Sequence, residues 1–442
     1  MTHILMIGTG YVGLVSGACM ADFGNHVVGY DIDLAKIDAL TRGEIPFYEP
    51  GLAELVQHNR DAGRLRFTTD LDAAIAECQV IVIAVGTPEQ PDGSADLSYV
   101  FAVGEAIGQR LTSYRVIVQK STVPVGTNRA LRAHIAAAAK PGAKFDMVAN
   151  PEFLREGSAI GDFLRPNRVV LGADSERALR LMREVYRPLF LNETPVLSTD
   201  IESAEMIKYA ANAFLAAKIS FINEVAELCE QVGADVQVVA RGMGLDQRIG
   251  SKFLHAGAGF GGSCFPKDTK ALLMMGKSHG APMGLVAASI EANERQPVRA
   301  VAKLAALAGG EAKLKGMQVA VLGLSFKPNT DDVREAAALK IISLLRAKGA
   351  RVRAFDPVGG PNAKRALPDL DLAPGTYECL EGADALIIVT EWNEFRVLDL
   401  ERVAGMLKRK LVVDCRNIFT PALMAEAGLA YASFGRRGEQ GA

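Results

Sequence analysis

The chain has 442 residues, of which 49% are hydrophobic and 23% charged, with a formal net charge of −2. That length exceeds one ordinary core and implies two or three domains of a globular protein. The near-neutral charge leaves no footprint for a nucleic-acid partner, and no uncharged apolar run reaches the ~18 residues a membrane span needs.

The first stretch, MTHILMIGTGYVGLVSGACMADFG, is apolar like a signal peptide. It lacks a basic leader, and its glycines fall at motif spacing, so it reads as part of the fold. The short apolar runs HILMI (3–7), HVVGYDI (26–32), VIVIAVG (80–86), VIVQKS (116–121) and DMVANP (146–151) alternate with helical patterns. Continuous apolar runs of this kind are buried parallel strands, and the alternation predicts a doubly wound α/β sheet.

From Asp200 the texture changes. STDIESAEMIKYAANAFLAAKISFINEVAELCEQVG reads as one helix of about 30 residues, with Ser198, Thr199 and Asp200 as candidate N-caps and Gly233 as its stop. Its Ala-rich, apolar surface needs cover on several sides. It therefore reads as a hub helix joining two lobes, with a dimer interface as its extension. A second α/β lobe follows, with strands in MQVAVLGLSF (317–326), ARVRAFDP (350–357), ADALIIVT (383–390) and LVVDCR (411–416). Asp31 and Asp356 end equivalent strands, a weak internal repeat. The expected fold is α/β: two Rossmann-like doubly wound domains (1–198 and 306–442) joined through a long central helix and a helical middle domain (199–305).

Six cysteines, at 19, 78, 229, 264, 379 and 415, are scattered without a CxxC or a His/Cys cluster. That argues against zinc, so no metal is expected, and against a disulfide scaffold; a reducing cytoplasm is the simplest setting.

Five stretches carry candidate chemistry. GTGYVG places Gly8, Gly10 and Gly13 after a strand and at the start of a helix, and Asp31 lies 21 residues beyond Gly10. This is the dinucleotide fingerprint: a tight turn, close backbone approach to a pyrophosphate, and close helix–strand packing, with the helix N-terminus facing the phosphates. A carboxylate at Asp31 suits free ribose hydroxyls and repels a 2′-phosphate, so NAD is favoured over NADP. The equivalent turn of the second lobe, GLSFKPNTDDVRE (323–335), keeps Gly323 but has Phe326, Lys327 and Pro328 in place of later glycines. It suits either a different phosphate ligand or no more than solvent. In GAGFGGSCFPKDT (257–269), Cys264 stands in a Gly-rich loop beside Lys267 and Asp268. It is either a small packed side chain or a thiol activated by a nearby cation. Lys208 and Asn212 share one face of the long helix, where they meet either water or a ligand. NPEFLREGSAI (150–160) and Thr122 in KSTVPVGT (120–127) follow strands, where ligand sites of open α/β sheets lie.

Together these stretches, with GTGYVGLVSGACMADFGNHVVGYDID, GTP (86–88), NPEFLREGSAIGDFLRPNRVVLG, AEMIKYAANAFLAAKISFINEVAELCE and GLSFKPNTDDVREAAAL, resemble the nucleotide-sugar dehydrogenases that oxidise an alcohol twice, the UDP-glucose/GDP-mannose dehydrogenase family. The likeness fades only after about residue 420. FKPNTDDVRE and GFGGSCFPKDT look like the UDP-glucose branch, whereas relatives acting on GDP-mannose or UDP-N-acetylmannosamine share the framework.

The resemblance implies NAD as cofactor, UDP-glucose as substrate and a homodimer. It implies that Cys264 captures an aldehyde, that Lys208, Asn212 and Asp268 surround the reacting carbon, that Glu152 serves as acid/base, and that Thr122 positions water. Gly8, Gly10, Tyr11, Val12, Gly13, Asp31, Lys36, Thr87, Ser121, Thr122, Glu156, Lys267 and Arg334 would serve the cofactor. Glu152, Phe153, Leu154, Lys208, Asn212, Phe253, Gly261, Phe265, Phe326, Lys327 and Arg416 would contact the sugar nucleotide, and Arg248 would reach the substrate of a neighbouring subunit. On this reading the loop glycines clear space for the sugar. Two rival classes fit parts of the chain: a two-electron dehydrogenase of hydroxy-acid or phosphogluconate type, and a binding protein that retains the fold without turnover. Neither accounts for both the second lobe and the intact Cys264, Lys208 and Asp268 set.

Overall fold

The computed structural model describes residues 1–437. The chain forms two compact units, Met1–Ala211 and Asn212–Ala442.

The first unit holds eight strands: β1 (His3–Ile7), β2 (His26–Tyr30), β3 (Leu65–Thr68), β4 (Val80–Ile83), β5 (Arg115–Gln119), β6 (Phe145–Ala149), β7 (Val169–Gly172) and β8 (Val196–Thr199). They lie in the order β3-β2-β1-β4-β5-β6-β7-β8. Every neighbouring pair is parallel except β6–β7. All four residues of β4 and all five of β5 are buried, because helices cover both faces of a parallel sheet. The second unit holds β9 (Gln318–Leu322), β10 (Arg351–Phe355), β11 (Asp371–Leu372), β12 (Ala385–Ile388), β13 (Leu411–Asp414) and β14 (Ala430–Ser433). These pair in parallel in the order β11-β10-β9-β12-β13-β14. In both sheets the first six strands follow the same doubly wound order, and each has its switch point where the chain crosses over, between β1 and β4 and between β9 and β12.

The two switch points are built alike. Gly8 follows β1 at φ +98° and Gly323 follows β9 at φ +92°. Each donates its backbone N–H across to the end of the next strand, Gly8 to Tyr30 O and Gly323 to Phe355 O, both at 2.8 Å. A Cβ on Gly8 would lie 2.7 Å from Ala84 O, and one on Gly323 would lie 2.4 Å from Thr390 Cβ. The internal repeat read from Asp31 and Asp356 is thus real at the level of backbone geometry.

Four helices matter for the sites: α1 (Tyr11–Asp22), α2 (Ile201–Val232), α3 (Phe265–Ser278) and α4 (Gly284–Ala308). Helix α2 spans 32 residues. Of its three expected caps, Ser198 and Thr199 lie within β8, where backbone pairing claims them; Asp200 alone caps, its Oδ1 accepting from Ser203 N at 2.7 Å. Gly233 ends the helix at φ +77°. The cover expected over α2 is incomplete in the single chain: Phe214, Phe221, Leu228 and Val232, at near-heptad spacing, are 68%, 51%, 61% and 68% exposed. Among the described residues no helix is long and apolar enough to cross a membrane.

The closest contact of the first unit joins α1 to β1. A Cβ added to Gly13 would lie 1.9 Å from the carbonyl oxygen of Gly8. Relief requires moving the helix off the strand, so Gly13→Ala is expected to cost about 1–3 kcal/mol, as for an overpacked core. Chemical denaturation measures this. A variant as stable as the parent, with its cofactor affinity intact, would show that the helix can shift without loss.

Candidate functional site

The cofactor cradle is built from β1, α1 and the end of β2. Gly10 caps α1, and nothing lies within 4 Å of where its Cβ would be, so a ligand can approach the backbone there. Asp31, one residue past β2, receives at Oδ2 the backbone N–H of Thr9 (3.0 Å), its hydroxyl (2.9 Å) and Lys36 Nζ (2.9 Å). Its Oδ1 receives only Asp33 N, at 3.2 Å, among the described residues. Burial opposes ionisation of Asp31, but the Thr9 and Asp33 N–H groups and Lys36 outweigh it and hold its carboxyl below the usual range. An ionised carboxylate with one oxygen fixed and the other still able to accept is what a vicinal ribose diol requires. The open Gly10, the tight Gly8 turn and this carboxylate fit an NAD molecule. Lys36 is held on that same Oδ2 as a counter-charge of Asp31.

Around the β4 and β5 ends, Thr87 donates to the Thr122 carbonyl at 3.0 Å and Ser121 donates to Val85 O at 2.7 Å. Those hydrogen bonds gather Thr87, Ser121 and Thr122 past the ends of β4 and β5. Tyr11, at the first turn of α1 beside Val12, commits its hydroxyl to Glu49 at 2.5 Å. Glu49 is 6% exposed and also accepts from Gly157 N (2.5 Å) and Ala159 N (2.8 Å). It ties the glycine-rich turn to the loop that carries Glu152, Phe153, Leu154 and Glu156. Sequence reasoning missed Glu49, and a lone Glu in FYEPG offers no periodic or motif signal.

Glu152 and Lys208 form a buried ion pair, Nζ to Oε1 2.9 Å, with side chains 6% and 4% exposed. Glu152 Oε2 accepts from Leu154 N at 2.6 Å. Burial pushes the Glu152 carboxyl up, yet the charge and hydrogen bond of Lys208, the Leu154 N–H and the charge of Lys120 together hold it below its ordinary value. Phe153 lies under the Arg168 guanidinium, 3.5 Å from its carbon to the ring centroid. Lys120 and Arg168 were also missed. The available signal was a lysine closing an otherwise apolar strand run.

In the second unit, Cys264 caps the N-terminus of α3, and Asp268 N donates to its carbonyl at 2.8 Å. Five of the six cysteines are buried, and Cys264 is half-buried. Burial raises the thiols of Cys379 and Cys415 to about 12, which leaves them inert near neutrality. A helix N-terminus favours a thiolate instead. Asp268 is 1% exposed. It accepts from Asn212 Nδ2 and from Lys267 Nζ, both at 2.7 Å. Lys267, expected at the cofactor, is engaged as the counter-charge of Asp268.

The loop glycines are explained by protein rather than by cleared space. A Cβ on Gly257 would lie 2.3 Å from Cys415 O, one on Gly259 2.6 Å from Asn293 Oδ1, and one on Gly261 2.4 Å from Glu335 O. The loop therefore presses against the switch point of the second sheet. Gly262 N donates to Arg334 O at 2.9 Å, fixing that contact. Phe253 sits at φ +65°, strained for an aromatic residue, and its ring is 6.0 Å from that of Phe265. Arg416 donates to Val389 O (2.7 Å) and Phe326 O (3.1 Å) and pairs with Glu391. Phe326 and Arg416 thus meet at the crevice, with Lys327 Nζ 5.4 Å from the Phe326 ring centroid. Arg334 is bound to Asp332, and the exposed Arg248 to Asp246 of its own turn.

Comparison with known proteins covers almost the whole chain. Residues 2–190 match the NAD binding domain of the UDP-glucose/GDP-mannose dehydrogenase family, 202–295 its central domain and 320–421 its UDP binding domain. A UDP-glucose 6-dehydrogenase of Rhizobium meliloti (strain 1021) is 53% identical over 98% of this chain and 99% of its own. One from Bacillus subtilis (strain 168) is 51% identical over 100% and 95%. The structure of a UDP-glucose dehydrogenase from Pyrobaculum islandicum superposes with a TM-score of 0.89 at 42% identity, covering 95% of both chains.

Asp31→Ala removes the carboxylate at the β2 end. Losing a hydrogen bond to a charged group is expected to weaken NAD binding by roughly 1.5–3 kcal/mol and to relax discrimination against NADP. Parallel titrations with the two cofactors measure both effects. Unchanged NAD affinity with strict discrimination would move the ribose contact away from Asp31.

Proposed function

We propose that this chain, which belongs to the UDP-glucose/GDP-mannose dehydrogenase family, oxidises UDP-glucose to UDP-glucuronate in two NAD-dependent steps through a covalent intermediate on Cys264. The observation that carries this reading is the placement of the one half-buried cysteine at a helix N-terminus, on the same helix as a buried Asp268 already held by Asn212 and Lys267. The curated relatives and the solved neighbour support UDP-glucose as the substrate. Residues 1–198 would hold NAD, 199–305 the thiol, and 306–442 the sugar nucleotide at Phe326, Lys327 and Arg416, with Phe253, Gly261 and Phe265 beside it.

Gly8, Gly10, Gly13 and Asp31 would seat NAD⁺, which supplies a hydride acceptor at each oxidation. The C6 alcohol loses a hydride, and its hydroxyl proton passes to water or a nearby base, to give an aldehyde; the Lys208 ammonium steadies the oxygen as that proton leaves. The Cys264 thiolate adds to the aldehyde carbon, and the oxygen takes a proton, giving a thiohemiacetal. This adduct still carries a transferable C–H, which a bare aldehyde does not readily give up. Loss of the second hydride and of the hydroxyl proton leaves a thioester. Water attacks the thioester carbon, the C–S bond breaks, and carboxylate and thiol are released. Glu152 would carry protons in the thiol steps, Asn212 and Asp268 would hold the oxyanion and the water, and Thr122 would help to place that water. A homodimer in the cytoplasm completes the reading: the exposed apolar stripe of α2 and the outward Arg248 support the dimer.

The stoichiometry of NADH per sugar separates this reading (two) from a two-electron dehydrogenase (one) and from a binding protein (none). The decisive variant is Cys264→Ala. Ligand binding survives, because neither ligand depends on sulfur. Net NADH from UDP-glucose is an ambiguous readout, since alcohol oxidation is uphill and trapping normally pulls it forward. The 6-aldehyde supplied directly with NAD⁺ is the better probe. The parent converts it to UDP-glucuronate with one NADH, and the variant is slower by several orders of magnitude, as for a covalent step removed outright. Oxidation at near the parent rate would make a hydrated aldehyde the hydride donor and end the covalent mechanism.

A further inference from the structure

The first unit buries a second cation that the mechanism above does not use. Lys120, just past β5, is 3% exposed. Its Nζ donates to Asn150 Oδ1 and to the Tyr186 hydroxyl, both at 3.3 Å, and lies 5.6 Å from the Phe163 ring centroid. Among the described residues no carboxylate stands within ion-pairing distance of it. Lys120 and Glu152 line one cavity of about 40 Å³, together with Asn150, Phe153, Arg168 and Tyr186.

An ammonium buried without a carboxylate partner is costly. Burial pulls the Lys120 amine down to about 8, Glu152 opposes that fall, and Lys208 adds to it by repulsion. Packing alone would be served better by an apolar side chain of the same length. A buried cation without a counter-ion makes sense where its field acts on another group; of the two carboxylates that line its cavity, Asp162 is already paired with Arg155, which leaves Glu152.

The charged and titratable groups around this pair are few. Glu152 meets Lys208 from α2, Lys120 from the β5 end, and the Leu154 N–H of its own loop. Arg168 and Asp162 also line the cavity, Arg168 over Phe153 and Asp162 paired with Arg155. Lys120 meets Glu152, Lys208, the Tyr186 hydroxyl and the Cys19 thiol of α1. When Lys208 turns its ammonium toward a substrate oxygen, Glu152 loses its nearest cation, and Lys120 is the cation that stays.

We propose that Lys120 is a positioning residue for Glu152, a fixed second cation that keeps this carboxylate ionised and in place while Lys208 is engaged with substrate. The proposal rests on the acid/base role given to Glu152 under the proposed function.

The test compares Lys120→Met and Lys120→Gln, both neutral, with Lys120→Arg, which keeps the charge. The primary readout is the infrared carbonyl band of protonated Glu152 in the ligand-free protein, assigned by its loss in Glu152→Gln. In both neutral variants the band is expected to emerge at a pH higher by roughly one unit, as for loss of a nearby opposite charge, and Lys120→Arg is expected to restore the parent titration. The acid limb of kcat against pH for UDP-glucose should move in the same direction, with KM values within about twofold. Lys120→Gln retains a donor toward Asn150, so a role confined to hydrogen bonding would leave it like the parent. If Lys120→Met fails to fold, Lys120→Gln carries the test. The proposal is overturned if Glu152 titrates unchanged in Lys120→Gln, or if Lys120→Arg shifts as far as Lys120→Gln. The infrared titration uses no substrate, so a chain inactive toward UDP-glucose would count against the proposed function while the band still decided the role of Lys120.

Discussion

The contact on which the cofactor half depends is the approach of α1 to β1, where the Gly8 carbonyl occupies the place a Gly13 side chain would need. Everything at that site follows from it. The N-terminus of a helix seated this close to the turn offers a phosphate both N–H hydrogen bonds and the positive end of the helix. The same seating brings Thr9 against Asp31, so the turn and the Asp31 carboxylate are fixed to each other by two hydrogen bonds. Glu49 extends the constraint by joining Tyr11 to the loop after Glu152.

The second lobe repeats the turn and spends its carboxylate differently. Asp356 occupies the position of Asp31 but is 6% exposed. Six donors surround it: the N–H groups of Leu324, Ser325, Val358 and Gly359, the Ser325 hydroxyl and the Trp392 indole. A carboxylate so occupied has no oxygen left for a ribose. It staples the turn shut instead. One backbone plan thus yields two different nucleotide sites, because one acid keeps an acceptor open and the other closes on its own chain.

What the sequence revealed and what it hid divide along physical lines. The fully buried strands β4, β5, β12 and β13 announced themselves as apolar runs, and the glycine spacing announced the first turn, because those signals are local. Strands β3, β7, β8, β11 and β14 went unseen: LRFT, VLST and AYAS mix polar with apolar residues, β11 has two residues, and β7 escaped notice although VVLG is apolar and fully buried. Ser198 and Thr199 resembled caps because cap chemistry is read from residue type, whereas the strand that claims them is set by a distant partner, β7, through Leu171 and Gly172. The glycines before Cys264 were legible as a demand for close approach, but not what approaches: the carbonyls of Cys415 and Glu335 lie far off in the chain. Glu49 and Lys120 carry no motif at all, since their roles consist entirely of tertiary partners.

The chemistry that remains is one of buried charge held in compensated sets. In the first unit Glu152 lies against Lys208 and under the influence of Lys120; in the second Asp268 lies between Lys267 and Asn212. Neither arrangement is a source of stability, because desolvating two ions costs about as much as their attraction returns. Their value is that they are already desolvated and oriented. A substrate oxygen that develops charge beside them meets dipoles and ions that need no reorganisation, which is where electrostatic catalysis gains most. Each acid is also poised by unequal surroundings. Glu152 sees two cations and a backbone donor, so it is held ionised in a place where burial alone would protonate it. Keeping a carboxylate ionised and buried makes it a base of fixed position.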